Sequence, residues 1–190
     1  MKPFKQLLFV LAFTVLLCSC KTETKKNATT TTVDNYTETQ KTGQAFIEDD
    51  EATPNCLQIA IGSADHKTLV AAVQAAQVEN ALVNVGPLTV FAPTDAAFGA
   101  LPEGTIENLV KPENKAVLAN ILKYHVTPGN LSETILTKLK KLGQANNQYV
   151  TVNVVDGKPV IGGANIVASV KAGNGIVHVI DKVLLPPSEE

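Results

Sequence analysis

The apolar period of the chain changes once, and that change restricts the fold more than any other feature. In the first half the spacing is helical. LVAAVQAA repeats Leu69, Val70, Val73 and Ala76, a stripe that Asp65 is placed to cap. PENKAVLANILKYHV opens with Pro112 at a first-turn position and sets Val117, Leu118, Ile121 and Leu122 on one helix face. From residue 148 the period becomes two: QYVTVNVV, an Asp156-Gly157 turn, KPVI, NIVASV, then Asn174-Gly175 ahead of IVHVIDKVLL. Helices followed by a strand-rich run predict an α+β domain, with helices packed on an antiparallel sheet.

One junction joins the two habits. In TVFAPTDAAF, Thr89, Val90 and Phe91 are β-formers, Pro93 ends ladder pairing because it has no N–H, and Thr94-Asp95 supplies side-chain oxygens for the open amides of a helix start. Strand, stop, cap and helix follow in ten residues. The strand is expected to lie beside the last one, whose Ile176, His178 and Ile180 face one side and Val177, Val179 and Asp181 the other. Asp95 is expected in a buried pair with His125 or His178.

At 190 residues and 45% hydrophobic, the chain can bury one core of ordinary size. The formal charge is −2 and all 16 basic residues are lysine, so neither a long-range field nor guanidinium forks exist to grip nucleic acid. Nucleic acid is excluded as a partner on that ground. Tryptophan is absent and aromatics are 5%, which argues against a sugar-stacking site.

No arrangement of residues points to catalysis, a cofactor or a metal. His66, His125 and His178 lack metal-ligand spacing, and Cys56 has no neighbouring ligand. Ser132 and Ser169 lack a nucleophile elbow, and Gly157, Gly162 and Gly163 lack the following Lys-Ser/Thr of a phosphate loop. Cys56, in NCLQIAIG, reads as a buried, inert thiol. The reading is therefore a protein that is not an enzyme.

The start has the layout of a secretory signal: Lys2 and Lys5, an apolar run from Leu7 to Leu17, then small residues. Its end, LCSC, resembles the lipobox of bacterial lipoproteins, which implies a signal over 1–20 and acylation of Cys20. Lys21 after the cysteine points to the outer membrane. Residues 21–53 are threonine-rich and charged without periodicity, a flexible tether of about 30 Å root-mean-square reach. The folded domain is expected over 54–187, with a short acidic tail at 188–190. The sequons at Asn27, Asn35 and Asn130 have no role in a bacterial export route.

Three segments of the domain carry a family resemblance. TVFAPTDAAF, LKYHV and GNGIVHVIDKVLLP, in this order, are similar to the signature blocks of the fasciclin (FAS1) domain. The resemblance implies a β-wedge or sandwich decorated with helices and a role in extracellular adhesion. It marks Thr89, Phe91, Pro93, Thr94, Asp95 and Phe98, then Tyr124 and His125, then Asn174, Gly175, His178 and Asp181 as motif residues with a structural or interaction role. The acidic-aliphatic tetrapeptide linked to integrin binding in animal members is not evident here.

The expected function is a membrane-anchored extracytoplasmic interaction module for cell adhesion or envelope binding. Its partners would be the membrane, through Cys20, and other proteins or surface polysaccharide; Lys138, Lys140 and Lys141 in TKLKKLG form a basic patch suited to the latter. The alternative is a lipoprotein that binds a small apolar or glycan ligand, or serves as a subunit of an envelope assembly. The oligomeric state stays open.

Overall fold

The computed structural model describes residues 53–84 and 86–187. Cys20, the 21–52 part of the tether and the 188–190 tail lie outside the described residues. The helical half begins with α1 (Cys56–Gly62), α2 (Lys67–Ala76) and α3 (Glu79–Asn84). After β1 (Leu88–Pro93) come α4 (Asp95–Gly99), α5 (Thr105–Leu109) and α6 (Lys115–Tyr124). The strand-rich half is β2 (Val126–Pro128), α7 (Glu133–Leu136), β3 (Lys141–Gly143), β4 (Tyr149–Val155), β5 (Lys158–Ile161), β6 (Ala164–Ala172) and β7 (Gly175–Ile180).

Seven strands form one sheet in the order β2-β1-β7-β6-β5-β4-β3, so the fold is α+β as the change of period requires. Hairpin neighbours are antiparallel, and Asp156 and Gly157 both take positive φ in the turn between β4 and β5. The expected pairing of the first and last strands is present. It is parallel, from Leu88↔Gly175 to Pro93↔Ile180, because the whole strand-rich half is threaded between them. Ala145 N–H donates to the Val126 carbonyl (2.7 Å), which brings the chain after β3 back to β2 at the other edge.

β1 and β7 are buried on both faces. Ala92 and Val177 join Cys56, Leu57, Leu69, Val73, Leu118 and Leu122 in a core under the helices. Phe91 and Ile180 join Leu136, Leu142, Val150, Ile161 and Leu184 in a second core on the other side. Strands covered on two sides read as continuous apolar runs, and burial through Ile176, Val177, His178 and Ile180 follows from that.

Gly175 admits no other residue. A Cβ there would stand 1.9 Å from the Leu88 carbonyl oxygen, so β1 could not lie at this distance from β7. Asn174 ties the same corner: its carbonyl accepts from Leu88 N–H (2.9 Å) and its side-chain oxygen from Cys56 N–H (2.8 Å). The α6 stripe is narrower than its spacing predicts. Leu118 and Leu122 are buried, Ile121 is half-buried, and Val117 is 51% exposed. Pro112 opens a short 3₁₀ turn (Pro112–Asn114) that leads into α6.

Candidate interaction surface

The strand-stop-cap-helix junction forms as the sequence dictates, with one reassignment. Thr94 Oγ1 accepts from Ala97 N–H (3.2 Å) and caps α4. Asp95 reaches back 27 and 28 residues and caps α2: its oxygens accept from Thr68 N–H (2.8 Å) and Lys67 N–H (3.3 Å). Those amides, Thr68 first, hold the carboxyl below its usual range. Asp95 therefore pairs with neither His125 nor His178, and Asp65 does not cap α2. Asp65 offers its carbonyl to Asp95 N–H instead (2.8 Å), so the two loops are stitched together.

His178 is fully buried, with its ring stacked on Phe91 at 5.8 Å between centroids. Nε2–H donates to the Leu131 carbonyl (2.8 Å), since a carbonyl can only accept. That leaves Nδ1 facing Ser169 Oγ (2.7 Å), and Ser169 in turn bonds the Glu133 carboxylate on α7. Burial pulls the His178 value down, while the Leu131 carbonyl and Glu133 pull it up. A Glu-Ser-His chain is thus assembled from residues 133, 169 and 178. The sequence shows no elbow at Ser169, because the contact is made by strand register, Ser169↔His178.

Tyr124 and His125 are buried, and each holds a distant stretch of backbone. Tyr124 Oη donates to the Tyr149 carbonyl (3.1 Å). His125 Nδ1–H donates to Ile121 O (2.8 Å), leaving Nε2 to accept from Leu184 N–H (3.0 Å). Complete burial pushes His125 down to about 4, so the ring is neutral across the physiological range. One residue of the motif fixes Gln148-Tyr149; the other fixes Leu184-Leu185.

Between those two stretches and α6 runs an open groove of about 570 Å³. Val117, Ile121, Leu185 and Pro186 line it, with Asn120 and Gln148 at its polar side. Asn146 joins that side, bonding Asn120 Oδ1 (3.0 Å) and Gln148 Oε1 (2.7 Å). Leu185 is 54% exposed and neighbouring Tyr149 is 68% exposed. An apolar floor rimmed by amides is the form taken by protein contact sites. Helical spacing puts Val117 and Ile121 on one face with Leu118 and Leu122, and the groove has no local signal because Leu185 and Gln148 are brought to that face by tertiary structure.

The remaining motif residues act as clamps. Thr89 Oγ1 donates to Gly129 O (2.8 Å) and accepts from Leu131 N–H (2.9 Å). Asp181 takes both the backbone N–H and the side-chain amide of Asn165 (2.8 and 2.7 Å). Pro93 is buried and Phe98 packs against the helical core. Lys138, Lys140 and Lys141 are exposed. Cys56 is a buried free thiol, and burial raises it to about 11. Among the described residues, no group of three or more His, Cys, Asp or Glu side chains could hold a metal ion.

The fasciclin domain family model matches residues 64–186. The Synechocystis protein sll1483 is 42% identical over 154 residues, covering 79% of this chain and 85% of that one. The transforming growth factor-beta-induced protein ig-h3 of Sus scrofa is 37% identical, over 78% of this chain and 22% of its own length. The cell surface glycolipoprotein MPB83 of Mycobacterium bovis is 36% identical, over 56% of this chain and 47% of its own. A solved FAS1 domain pair from the insect cell adhesion molecule fasciclin I aligns with a TM-score of 0.49 and 23% identity, over 62% of this chain and 44% of that one. With a match over this length and relatives at this identity, the chain belongs to the fasciclin family.

Proposed function

We propose that the chain is a lipid-anchored extracytoplasmic interaction module, held to the outer membrane through acylated Cys20, which presents the groove beside α6 to another surface protein. The observation that carries this reading is the groove itself: exposed Val117 and Leu185 with an amide rim, its walls fixed by Tyr124 and His125. The motif pair acts from behind the surface. Two interior apolar cavities beside His125 are about 20 Å³ each, room for about one water, which opposes binding of a small apolar ligand inside the fold. Among the described residues no helix is long and apolar enough to cross a membrane.

The chain has no arginine and no tryptophan, residues that usually anchor tight interfaces, so single contacts are of micromolar strength or weaker as an order of magnitude. Display of many tethered copies raises the effective concentration and can add about a hundredfold in avidity. The test displays the whole chain on beads at several densities and measures capture of cells. Val117→Asp and Leu185→Asp should each abolish capture while leaving the melting temperature unchanged, since both side chains are half exposed. Capture by either variant at the parent level refutes the groove. Capture that survives in both and disappears in salt and in Lys140→Glu would instead assign binding to the exposed lysine patch and an acidic polysaccharide. Cys20→Ser should move the protein from the membrane to a soluble extracytoplasmic fraction, and unchanged detergent partitioning would remove the anchor.

A further inference from the structure

β6 is nine residues long, yet it is registered with β5 only through Ala164 and Asn165. Its other edge pairs with β7 as far as Ala172↔Gly175. Among the described residues, no strand is registered with the β5-side edge from Ile166 to Ala172. Exposure agrees: Val167, Ala168, Ser169, Val170 and Lys171 are all exposed, five in a row, where a strand paired on both sides and covered on one face would alternate.

The backbone direction at this edge can be read from its neighbours. Leu88 N–H donates to Asn174 O and Thr94 N–H to Ile180 O, so the even residues of β7 address β1 and the odd ones address β6. The β6 residues opposite those odd positions are Ala168, Val170 and Ala172. Ser169 and Lys171 therefore aim their N–H and C=O groups away from the sheet. Gly173, next in that series, donates outward to the Pro54 carbonyl (2.9 Å), as this assignment requires.

We propose that this edge pairs with the same edge of a second copy of the chain, antiparallel about a two-fold axis at Val170. The register is self-complementary. Ser169 of each copy stands opposite Lys171 of the other, and each such pair exchanges two N–H···O bonds. The Val170 side chains, each 40% exposed, meet across the axis at the close, non-bonded position. Charge matches as well. Glu133 lies against Ser169 on the face that Ser169 shares with His178, so the Lys171 that arrives opposite Ser169 arrives beside the Glu133 carboxylate. Pro54 at one end and the bulge between Ile166 and Ala168 at the other limit the pairing to about five residues, a short contact suited to copies already concentrated on one membrane. The surface is separate from the α6 groove and does not depend on its role.

The test is oxidative cross-linking of the whole chain in its membrane, with the parent chain as the blank. Val170→Cys puts two thiols at a Cβ separation that a disulfide spans, whereas Lys171→Cys puts them two residues out of register. Val170→Cys should give about tenfold more dimer than Lys171→Cys. Adding Glu133→Lys should cut that yield about tenfold, by placing two cations together, and adding Lys171→Glu as well should restore it. Equal yields from the two cysteine variants, or a yield indifferent to Glu133→Lys, would overturn the pairing. Absence of dimer would also overturn it; slow amide exchange at Ser169 and Lys171 in that monomer would then assign the edge to another occupant.

Discussion

His125 and His178 are both buried and both held below the ordinary histidine value, but their seats differ in kind. His125 is satisfied by two backbone groups, Ile121 O and Leu184 N–H. Its proton count is closed: the ring gives one hydrogen and receives one. His178 sits in an open series that runs from Leu131 O through the ring and Ser169 to Glu133 at the surface. Three links need three hydrogens, whereas a neutral ring, a hydroxyl and an ionised carboxylate supply two. With those groups only two of the three links are made at once, and the Ser169 hydroxyl turns either to the ring or to Glu133. His125 is held by backbone groups alone, whereas one side of His178 depends on a serine hydroxyl at the exposed edge of β6.

The largest effect should come from breaking the closed seat. His125→Ala removes a fully enclosed ring and leaves Leu184 N–H without its acceptor, so a loss of about 3–5 kcal/mol is expected in urea unfolding. The Leu185 wall of the groove should loosen with it, and capture should fall in the same variant. His178→Ala should cost somewhat less, about 2–4 kcal/mol, because Ser169 can turn its hydroxyl to Glu133 or water. A His125→Ala variant that loses under about 1 kcal/mol would mean that backbone seating is no stronger than side-chain seating.

Acid sharpens the comparison next. A histidine whose folded value lies below its unfolded 6.5 takes up its proton first in the unfolded chain. Stability is therefore intact above pH 6.5, declines as the pH falls from 6.5 toward about 4, and levels off below that. For His125 the full decline is about 3 kcal/mol. His178 contributes in the same direction, opposed by the Leu131 carbonyl and Glu133. Unfolding measured at intervals across this range should show the decline in the parent chain and most of it absent in His125→Ala. A decline that persists unchanged in that variant would place the proton elsewhere.

Opening the other seat gently should have a smaller cost. Ser169→Ala severs Glu133 from His178 at an exposed position, and about 1 kcal/mol is expected. Glu133→Gln should lower the His178 titration further by removing a charge that favours the imidazolium, visible in ring proton shifts. An unmoved His178 titration would show that the Glu133 charge does not act on the ring.

Local chemistry was legible in the sequence and long-range partnership was not. Pro93 ends β1 and Thr94 caps α4 for reasons contained in three consecutive residues. Alternation marks β4, whose first half is buried on every second residue, while β6 and β7 are legible from their β-forming residues and the turns that bound them. Tyr124 and His125 could be recognised as a motif, yet what they hold is set by Tyr149 and Leu184, 25 and 59 residues away. The groove they support is invisible to any window on α6, where Val117 carries the spacing of a core residue and the exposure of a surface one. The same limit explains Ser169: nothing beside it in the chain marks it, and only the register of β6 on β7 brings it to His178.

The smallest effect should come from the residue that belongs to neither seat. Asp95 was expected to pair with a histidine, and its carboxylate instead closes the start of α2 through Thr68 and Lys67 amides. Capping losses run near 1 kcal/mol, and here the amides freed by Asp95→Ala are at a partly exposed helix end that water can reach, so about that much should be lost. The two amides hold the carboxyl below its ordinary 3.8, so this contribution is present above that pH and fades as the pH falls below it, under the window in which His125 acts. Asp95 shares no hydrogen bond with His178, and the double variant should therefore cost the sum of the two singles within about 0.5 kcal/mol. A coupling energy above about 1 kcal/mol would reinstate a link between the corner and the His178 seat, and the division between the two histidine seats would have to include Asp95.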